Sequence, residues 1–406
     1  MQINNLVTKL LKNDNNDTFS ILTYLDLKKV FTHEYIFNYV KHIIDNNSIL
    51  KKEIVRENDN FFLQDVDNFN IYNHFSIKYV NKNAFDNYIK DILNDTSLSN
   101  IFYLLCCIDK KNNRSRLYLK INHSYADGYS VIDMLTKKFI NYKEDNFPIF
   151  NRNTTLLKTL YHYIIGTIVV LFINIKFLFN IQTKSYINTN ETDYIKCKGF
   201  HIDKIKQFTK KNNITINDFL YAVMIKTDQL YTKQNRNVTS CSSINVSKLS
   251  NTNNMCPIFN SINNSLENKT LFKTVHTIFD HYKYSLFIPM LDFLINNFIT
   301  HVNIDFLAFT YNSVINNTDY IYSNIIGPPV NEINKISHVH LKNIHFLTTA
   351  GNGITYNIIS CKNKINIICS FKKGKITNKK RFKKCIYNAY ENLITSEECV
   401  YAVKNV

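Results

Sequence analysis

The stretch Arg116–Ile140, RLYLKINHSYADGYSVIDMLTKKFI, contains the transition that decides the fold of this chain. Its first seven residues alternate between apolar and polar side chains, and a period of two predicts a strand with one buried face. From Gly128 onward the apolar residues recur every three or four positions, which predicts an amphipathic helix. His123 therefore leaves the end of a strand, and Asp127 and Gly128 lead the chain into a helix.

Two interpretations fit the loop between this strand and this helix. In the first, Asp127 caps the helix, Gly128 eases the turn, and His123 is an ordinary histidine at the end of a strand. In the second, the loop presents the imidazole of His123 to a cleft. A histidine with the usual pKa of about 6.5 can accept a proton near neutral pH, so it can act as a general base. Asp127 then holds the loop in shape without contacting the substrate.

Two later segments carry further motifs, TINDFLYA at 215–222 and YSNIIGPP at 322–329. The loop resembles the HHxxxDG motif of the chloramphenicol acetyltransferase-like superfamily, which includes the wax ester synthase/diacylglycerol acyltransferases and the peptide-synthetase condensation domains. The two later segments resemble the Asn-Asp motif and the SNxxGP segment of the wax ester synthase family, in the same order. The chain departs from the family at Asn122, where the first His usually stands. It also lacks a Pro-Leu-Trp segment, since it contains no tryptophan.

The resemblance implies an α/β fold of two chloramphenicol acetyltransferase-like subdomains, with mixed sheets, flanking helices and an active-site tunnel between them. His123 is then the general base, and Asp127 and Gly128 complete the catalytic motif. Transfer is direct, without a covalent acyl-enzyme, and no GxSxG nucleophile segment is found. By resemblance, Asn324 or Asn217 is the donor to the oxyanion, and Asp218 and Ser323 are further candidates for holding the oxyanion or positioning the substrate. For Asn217, capping of a helix is the alternative interpretation.

By the same resemblance, the expected activity is O-acyl transfer from acyl-CoA to a long-chain alcohol or diacylglycerol. Acyl-CoA is a co-substrate in this interpretation; no bound cofactor or metal site is expected, and no cofactor-binding residue can be assigned. One alternative is acyl transfer to another acceptor, an amine or a carrier-bound group. Another is a catalytically silent lipid-binding protein of the same fold.

The order of these motifs predicts three regions. Residues 1–150 form an N-terminal acyltransferase half with the HxxxDG motif. Residues 151–190 form a linker, and residues 191–406 form a C-terminal half with the ND and SNxxGP motifs. Within the N-terminal half, His33–Asn46 is predicted to be an amphipathic helix with its apolar residues on one side. Within the C-terminal half, His338–Phe346 is predicted to be a strand, and Leu286–Phe309 is predicted to be a long amphipathic helix after Pro289.

The linker contains the most apolar segment of the chain, Leu160–Ile181. Its 22 residues compare with the roughly 20 that a bilayer span needs. Because His162, Asn174 and Lys176 interrupt it, two interpretations remain open. The segment either enters a membrane, by spanning it or lodging in its surface, or forms a buried or groove-covering helix of the protein.

The charge and amino-acid composition limit the classes of partner that the chain is expected to bind. A formal net charge of +17 favours anionic partners, which are nucleic acid, an anionic membrane surface or a phosphate-bearing cofactor. No nucleic-acid module is recognisable, so nucleic acid is not expected as a partner. The basic cluster over 372–384 is either a solvated surface or a membrane or phosphate contact. Nine cysteines without a regular framework indicate reduced thiols. The predicted location is cytosol-facing and membrane-associated, on an endoplasmic reticulum or lipid-droplet type surface in a eukaryotic host.

Overall fold

A computed structural model describes residues 19–57, 60–95, 101–136, 161–182, 187, 189–245, 255–287, 290, 304–328, 339–349 and 351–396. The strands within these residues are β1 (Ser20–Lys28), β2 (Lys52–Glu57), β3 (Asn60–Asp65), β4 (Phe75–Tyr79), β5 (Phe102–Asp109), β6 (Arg114–Asn122), β7 (Thr192–Lys196), β8 (Phe200–His201), β9 (Asn237–Asn245), β10 (Met255–Asn263), β11 (Tyr320–Ile325), β12 (His340–Thr348), β13 (Ile354–Cys361) and β14 (Lys364–Lys372). The α-helices are α1 (His33–Asn46), α2 (Asn87–Asn94), α3 (Gly128–Thr136), α4 (Thr167–Asn180), α5 (Ile202–Lys211), α6 (Ile216–Thr232), α7 (Asn268–Tyr284), α8 (Ile304–Asn317) and α9 (Lys379–Ile394).

The first sheet has the strand order β12-β1-β6-β5-β4. β4 and β5 are parallel, and the other neighbours are antiparallel. Apolar residues of α1 and α3 form one core cluster with this sheet, because their apolar stripes need a surface on which to be buried. α2 contributes to a separate cluster with Tyr24 and Tyr118. The sheet is thus covered by helices around β6, the strand that ends at His123.

β12 joins the first sheet although it lies far along the chain. It pairs antiparallel with β1, with Ile21 opposite Thr348. The predicted division into residues 1–150 and 191–406 therefore does not hold for this strand, which belongs to the sheet of the N-terminal half. Sequence periodicity predicts that a segment is a strand but does not say which neighbour completes its hydrogen bonds.

The second sheet has the order β10-β9-β11-β13-β14-β7, and β8 also pairs with β14. β11 lies in its middle and is parallel to both β9 and β13. α4, α5, α6, α7 and α9 share one core cluster with this sheet. The mixed α/β architecture with two helix-covered sheets confirms the predicted fold class.

Most predicted elements are present in the structure. The helix His33–Asn46 is confirmed at both ends as α1, with Thr32 as its N-cap. The motif stretch is confirmed as β6 followed by α3, and its part from residue 137 lies outside the described residues. The predicted helix Leu286–Phe309 also lies largely outside them, although its last residues begin α8.

The basic cluster over 372–384 is largely exposed, but its first member, Lys372, is buried. Lys373 forms an ion pair with Glu191 at 2.7 Å, so part of the cluster stabilises the second sheet. Seven of the cysteines are free and buried, namely Cys106, Cys107, Cys197, Cys241, Cys361, Cys369 and Cys385.

The apolar segment predicted over Leu160–Ile181 forms a π-helical turn, His162–Gly166, followed by α4. Within the described residues, Tyr163–Asn180 is the one helical stretch long and apolar enough to cross a membrane, with a mean hydropathy of 1.9. One side of this helix packs on the second sheet and its helices. The ring of Phe177 lies 5.1 Å from that of Phe259, and Asn174 Nδ2 donates to the Tyr282 hydroxyl at 2.9 Å.

Most of the other side chains of this segment are exposed, and only 17% of the stretch is buried. The large apolar side chains exposed along it are Tyr161, Ile164, Ile165, Ile168, Leu171, Phe172, Ile175, Leu178 and Phe179. The segment is therefore not the fully buried core helix that one interpretation of the sequence predicted.

Candidate active site

His123 follows the last residue of β6, in the first position of the loop. Its backbone N–H donates to the Phe19 carbonyl at 2.9 Å, which extends the β1–β6 pairing by one more bond. Its ring is half-buried and lies 5.3 Å from the Phe19 ring, tilted by 38°. The strand end and the aromatic contact together position the imidazole.

Asn122, which replaces the first His of the family motif, shapes the turn. Its side-chain oxygen accepts the Ser124 N–H at 2.9 Å and its carbonyl accepts the Tyr125 N–H at 3.0 Å. Asparagine commonly makes such local side-chain bonds in turns. The Tyr125 hydroxyl in turn accepts the Ile54 N–H at 3.1 Å, which ties the loop to β2.

Asp127 is the N-cap of α3. Its carbonyl accepts the Val131 N–H at 3.0 Å, and its Oδ1 accepts the Ser130 N–H at 2.8 Å and the Ser130 hydroxyl at 2.9 Å. The carboxylate is buried, and no ion pair connects it to a cation among the described residues. The interpretation of Asp127 as a structural residue thus agrees with its contacts, which serve the start of the helix.

Gly128 is where the loop meets the SNxxGP segment. A Cβ at this position would lie 2.3 Å from Cδ1 of Ile325, whose side chain is buried in the core, so a larger residue here would displace the end of that side chain. The next residue of α3 repeats the contact, since the Tyr129 hydroxyl accepts the Ile326 N–H at 3.4 Å. Two motifs separated by nearly two hundred residues are thereby in direct contact.

The SNxxGP segment is held from its other side by β13. A Cβ on Gly327 would lie 1.7 Å from the Ser360 carbonyl oxygen, and the Gly327 N–H donates to the Ser360 hydroxyl at 2.9 Å. The glycine of the motif therefore allows the chain to pass directly against the backbone of β13 as it leaves β11.

Alternation along β11 separates the two polar residues of the motif. Side chains two apart share a face of a strand, so Ser323 lies on the face of Ile325, which contacts Gly128. Asn324 lies on the opposite face with Tyr322, toward α6. Its Nδ2 donates to Asn217 Oδ1 at 3.1 Å, and the Tyr322 hydroxyl donates to the same oxygen at 3.2 Å.

The ND motif begins α6, but Asn217 is not its cap. Thr215 is the N-cap, and Thr215 and Asp218 form a reciprocal capping box with bonds of 3.1 and 2.9 Å. The interpretation of Asn217 as the cap is wrong because the threonine two residues earlier provides the capping oxygen. Asn217 instead accepts the two bonds from β11.

Asp218 is fully buried and lies among structural contacts. Its Oδ2 contacts His276 Nδ1 at 2.7 Å, and His276 Nε2 lies 3.4 Å from Asp280. The hydrogen bond that His276 donates to Asp218, together with the charges of both carboxylates, raises the pKa of His276 despite partial burial. Asp218 thus stabilises α6 against α7, and its contacts do not place it with the other candidates.

Burial lowers the pKa of His123, while a hydrogen bond with its own backbone and the nearby charge of Asp127 oppose the shift. The imidazole is therefore neutral at neutral pH, which is the protonation state that a general base requires. Among the described residues, no group of three or more His, Cys, Asp or Glu side chains is placed to hold a metal ion.

The structure brings together Gly128 with Ile325, and Asn217 with Asn324. Tyr129 makes a contact at the first of these junctions and Tyr322 at the second, and neither residue was predicted as part of the site. Strand alternation could have pointed to Tyr322, since it lies two residues before Asn324. Nothing local in the sequence distinguishes Tyr129 from other helix residues.

Residues 256–394 match the family described as the WS/DGAT C-terminal domain. No curated protein sequence matches the chain. Among solved structures, the chain is similar to the wax ester synthase/diacylglycerol acyltransferase from Marinobacter aquaeolei VT8, with 10% identity, a TM-score of 0.61, and 97% of this chain and 98% of that one covered.

Two further structures are similar over nearly the whole chain. The TRI3 trichothecene 15-O-acetyltransferase from Fusarium sporotrichioides has 10% identity and a TM-score of 0.69, with 94% of this chain and 93% of that one covered. Polyketide synthase associated protein 5 from Mycobacterium tuberculosis has 11% identity and a TM-score of 0.61, with 98% of each chain covered. The family match covers the segment that contains the SNxxGP motif, and the similarity over nearly the whole chain shows the fold.

Proposed function

We propose that this chain, which carries the WS/DGAT C-terminal domain, is an O-acyltransferase that moves a fatty acyl group from acyl-CoA to a long-chain alcohol or diacylglycerol. One observation carries the proposal: the loop that presents His123 is fixed on both sides, by its own capping bonds and by the contact of Gly128 with the end of β11. A loop that served only to connect a strand and a helix would not need this second contact.

In the proposed reaction, His123 removes the proton of the acceptor hydroxyl as its oxygen attacks the thioester carbonyl. The tetrahedral intermediate then expels the CoA thiolate, to which the imidazolium returns the proton. The lowered pKa of His123 supports this assignment, because a neutral imidazole must be available before the attack. Neither step requires a covalent acyl-enzyme or a metal ion.

The oxyanion of the intermediate needs a hydrogen-bond donor, which is typically worth about 3–4 kcal/mol. Ser323 is the better candidate by position, since it shares a face with Ile325 and thus points to the side of the His123 loop. Asn324 and Asn217 bind each other on the opposite face, so they support β11 against α6. On this basis Ser323 donates to the oxyanion, and the two asparagines are positioning residues.

The test measures CoA release by the purified full-length protein, with acyl-CoA and with hexadecanol, dioleoylglycerol, a fatty amine or no acceptor. We expect release that depends on the alcohols, and a loss of about 10²–10⁴-fold in His123→Ala. The matched control is His340→Ala, which changes an exposed histidine at the start of β12. Unchanged turnover in folded His123→Ala would contradict the base assignment, and turnover with the amine alone would contradict the acceptor class.

We also propose that the exposed side of α4 and the turn before it lies in a lipid surface. Phe172 and Phe179 are 64% and 86% exposed, and Lys176 on the same helix can reach the headgroups. A helix that crossed a bilayer would have to release the Asn174–Tyr282 bond and the Phe177 contact, so lodging in the surface is favoured over spanning. Substrates with long acyl chains would then enter from the lipid phase.

Flotation with vesicles of neutral and anionic phospholipid tests this orientation. Phe172→Asp with Phe179→Asp should release the protein while its CD spectrum is unchanged, since both side chains are exposed. The control pair is Tyr72→Asp with Tyr79→Asp, two exposed aromatic residues before and at the end of β4, at the edge of the first sheet, whereas α4 packs on the second. Binding that disappears in high salt but survives the phenylalanine changes would mean that only the basic surface contacts lipid.

A further inference from the structure

A cavity of about 690 Å³ lies at the end of β6 opposite to His123. Its wall includes Arg114 and Arg116 at the start of β6, whereas His123 follows the end of that strand. A strand rises about 3.3 Å per residue, so these wall residues are about 23–30 Å along β6 from His123. It is therefore separate from the candidate active site, and its volume is in the range of small-molecule sites.

The cavity is lined by both sheets. β1, β6 and β12 of the first sheet contribute most of the wall, and Lys364 at the start of β14 contributes from the second. The sheets are joined close by, since the buried Asn366 Nδ2 donates to Asn343 Oδ1 at 2.6 Å and to the Ile344 carbonyl at 2.9 Å. A ligand in the cavity would thus contact both halves of the protein.

Cationic side chains outnumber anionic side chains in the wall of the cavity. Four cationic and two anionic side chains line it, namely Arg114, Arg116, Lys342, Lys364, Asp26 and Asp86. Both carboxylates are paired with the same guanidinium, since Arg116 Nε contacts Asp26 at 2.6 Å and Arg116 also binds Asp86. Within the described part of the chain, Arg114 and Lys364 take part in no ion pair. Arg114 and Lys364, which no ion pair among the described residues neutralises, therefore line the cavity together with Lys342.

A β-bulge brings one of these cations to the wall. Asp26 pairs with Asn343 and Leu27 pairs with Leu341, so Lys342 is an extra residue in β12. A bulge re-aims side chains and interrupts the ladder, and it persists where the new direction is useful. Here it occurs where Lys342 lines the cavity.

We propose that this cavity is a second binding site, for a small and multiply charged anion of the phosphate class, such as pyrophosphate or the phosphates of a nucleotide. Like charges that converge on one cavity repel each other, and a polyanion relieves this repulsion through charge-assisted hydrogen bonds. The volume admits more than a single phosphate group, and the buried ring of Phe85 adds an apolar wall. A bound anion would stabilise the contact between the two sheets. This proposal does not depend on the proposed acyl transfer.

The experiment is calorimetric titration of the full-length protein with inorganic pyrophosphate and with ADP at low ionic strength. The test variant is Lys342→Gln with Lys364→Gln, two exposed residues whose replacement leaves the Arg116 pairs intact. The matched control is Lys204→Gln with Lys210→Gln, which removes the same charge from the exposed side of α5. Melting without ligand verifies that both variants are folded.

We expect saturable binding of pyrophosphate to the unaltered protein, at least tenfold weaker binding in the cavity variant, and less than twofold weaker binding in the control. At a hundred times Kd, pyrophosphate should raise Tm by about 3 °C. Arg114→Gln alone should give the same direction of change. Tighter binding of ADP than of pyrophosphate would identify a nucleotide as the ligand class, and equal binding would identify the phosphates alone. Equal weakening in both double variants, or no saturable binding, would overturn the proposal, because general attraction to a cationic protein would then explain any heat.

Discussion

Replacing Asp127 by Ala or by Asn separates the shape of the catalytic loop from its charge. Asp127 Oδ1 accepts two bonds from Ser130, at 2.8 and 2.9 Å, and both residues are buried. Loss of an N-cap costs about 0.5–2 kcal/mol, and a buried N–H without a partner costs about 1–3 kcal/mol. The two costs describe largely the same bond, so Asp127→Ala should lose about 2 kcal/mol. Asp127→Asn keeps the accepting oxygen and should lose less than about 0.5 kcal/mol.

The change should be measured locally as well as globally. At about 2.1 cal/mol/K per residue, a loss of about 2 kcal/mol in 406 residues lowers Tm by only about 2–3 °C. Hydrogen exchange at the start of α3 is more sensitive, since the same loss accelerates local opening about 30-fold. Because a displacement of about 1 Å in a catalytic group can cost about 10²-fold in rate, acyl transfer should fall by this order in Asp127→Ala and by less than about threefold in Asp127→Asn.

One pattern of results would refute this reasoning. If Asp127→Asn were as inactive as Asp127→Ala while exchange in α3 and Tm were unchanged, the negative charge itself would be required. Asp127 would then act on the proton of His123, whose pKa its charge raises, rather than through the geometry of the loop.

Three further outcomes are expected. The acid limb of kcat/KM should lie below pH 6.5, since burial lowers the pKa of His123, and a limb above pH 7 would contradict its assignment. Burial and nearby cations lower the pKa of His345 well below 6.5, so the unfolded state binds the extra proton and the folded state loses stability as pH falls below 6.5. In denaturant titrations, His345→Phe should flatten this pH dependence of the unfolding free energy, which is at most about 1.4 kcal/mol per pH unit. An unchanged slope would exclude His345 as its source. Gly327→Ala should unfold the SNxxGP turn and lower Tm by more than about 3 °C, because its Cβ would overlap the Ser360 carbonyl. The control Gly351→Ala, whose Cβ would have its nearest atom at 3.5 Å, should change the unfolding free energy by less than about 0.5 kcal/mol. Equal Tm values for the two variants would contradict the role of the close approach at Gly327.

Local periodicity predicts individual helices and strands, but it does not predict which elements pair or pack with each other. α1 was predicted at both ends because Thr32 caps it and its apolar residues form one stripe. β12 was predicted as a strand, but its place beside β1 depends on hydrogen bonds with residues about three hundred positions earlier. α7 was overlooked although Leu271, Val275 and Phe279 recur every four residues and are all buried, so its signal was present in the sequence.

In the candidate site, the structure brings the segments of two motifs into contact, but the motifs alone do not give the role of each residue. The resemblance favours Asn324 or Asn217 as the oxyanion donor, but adjacent residues of a motif carry no information about which side each side chain faces. The strand separates them, since neighbouring side chains point to opposite faces. The contact of Ile325 with Gly128 then determines which face looks toward His123. If this is the functional face, Ser323→Ala should reduce kcat by about 10²-fold with little change in KM, as the loss of an oxyanion donor does. Asn324→Ala should instead lower stability and kcat together, because the bond to Asn217 would be lost. The reverse pattern would assign the donor to Asn324 and would require β11 to turn its end toward the loop when substrate binds.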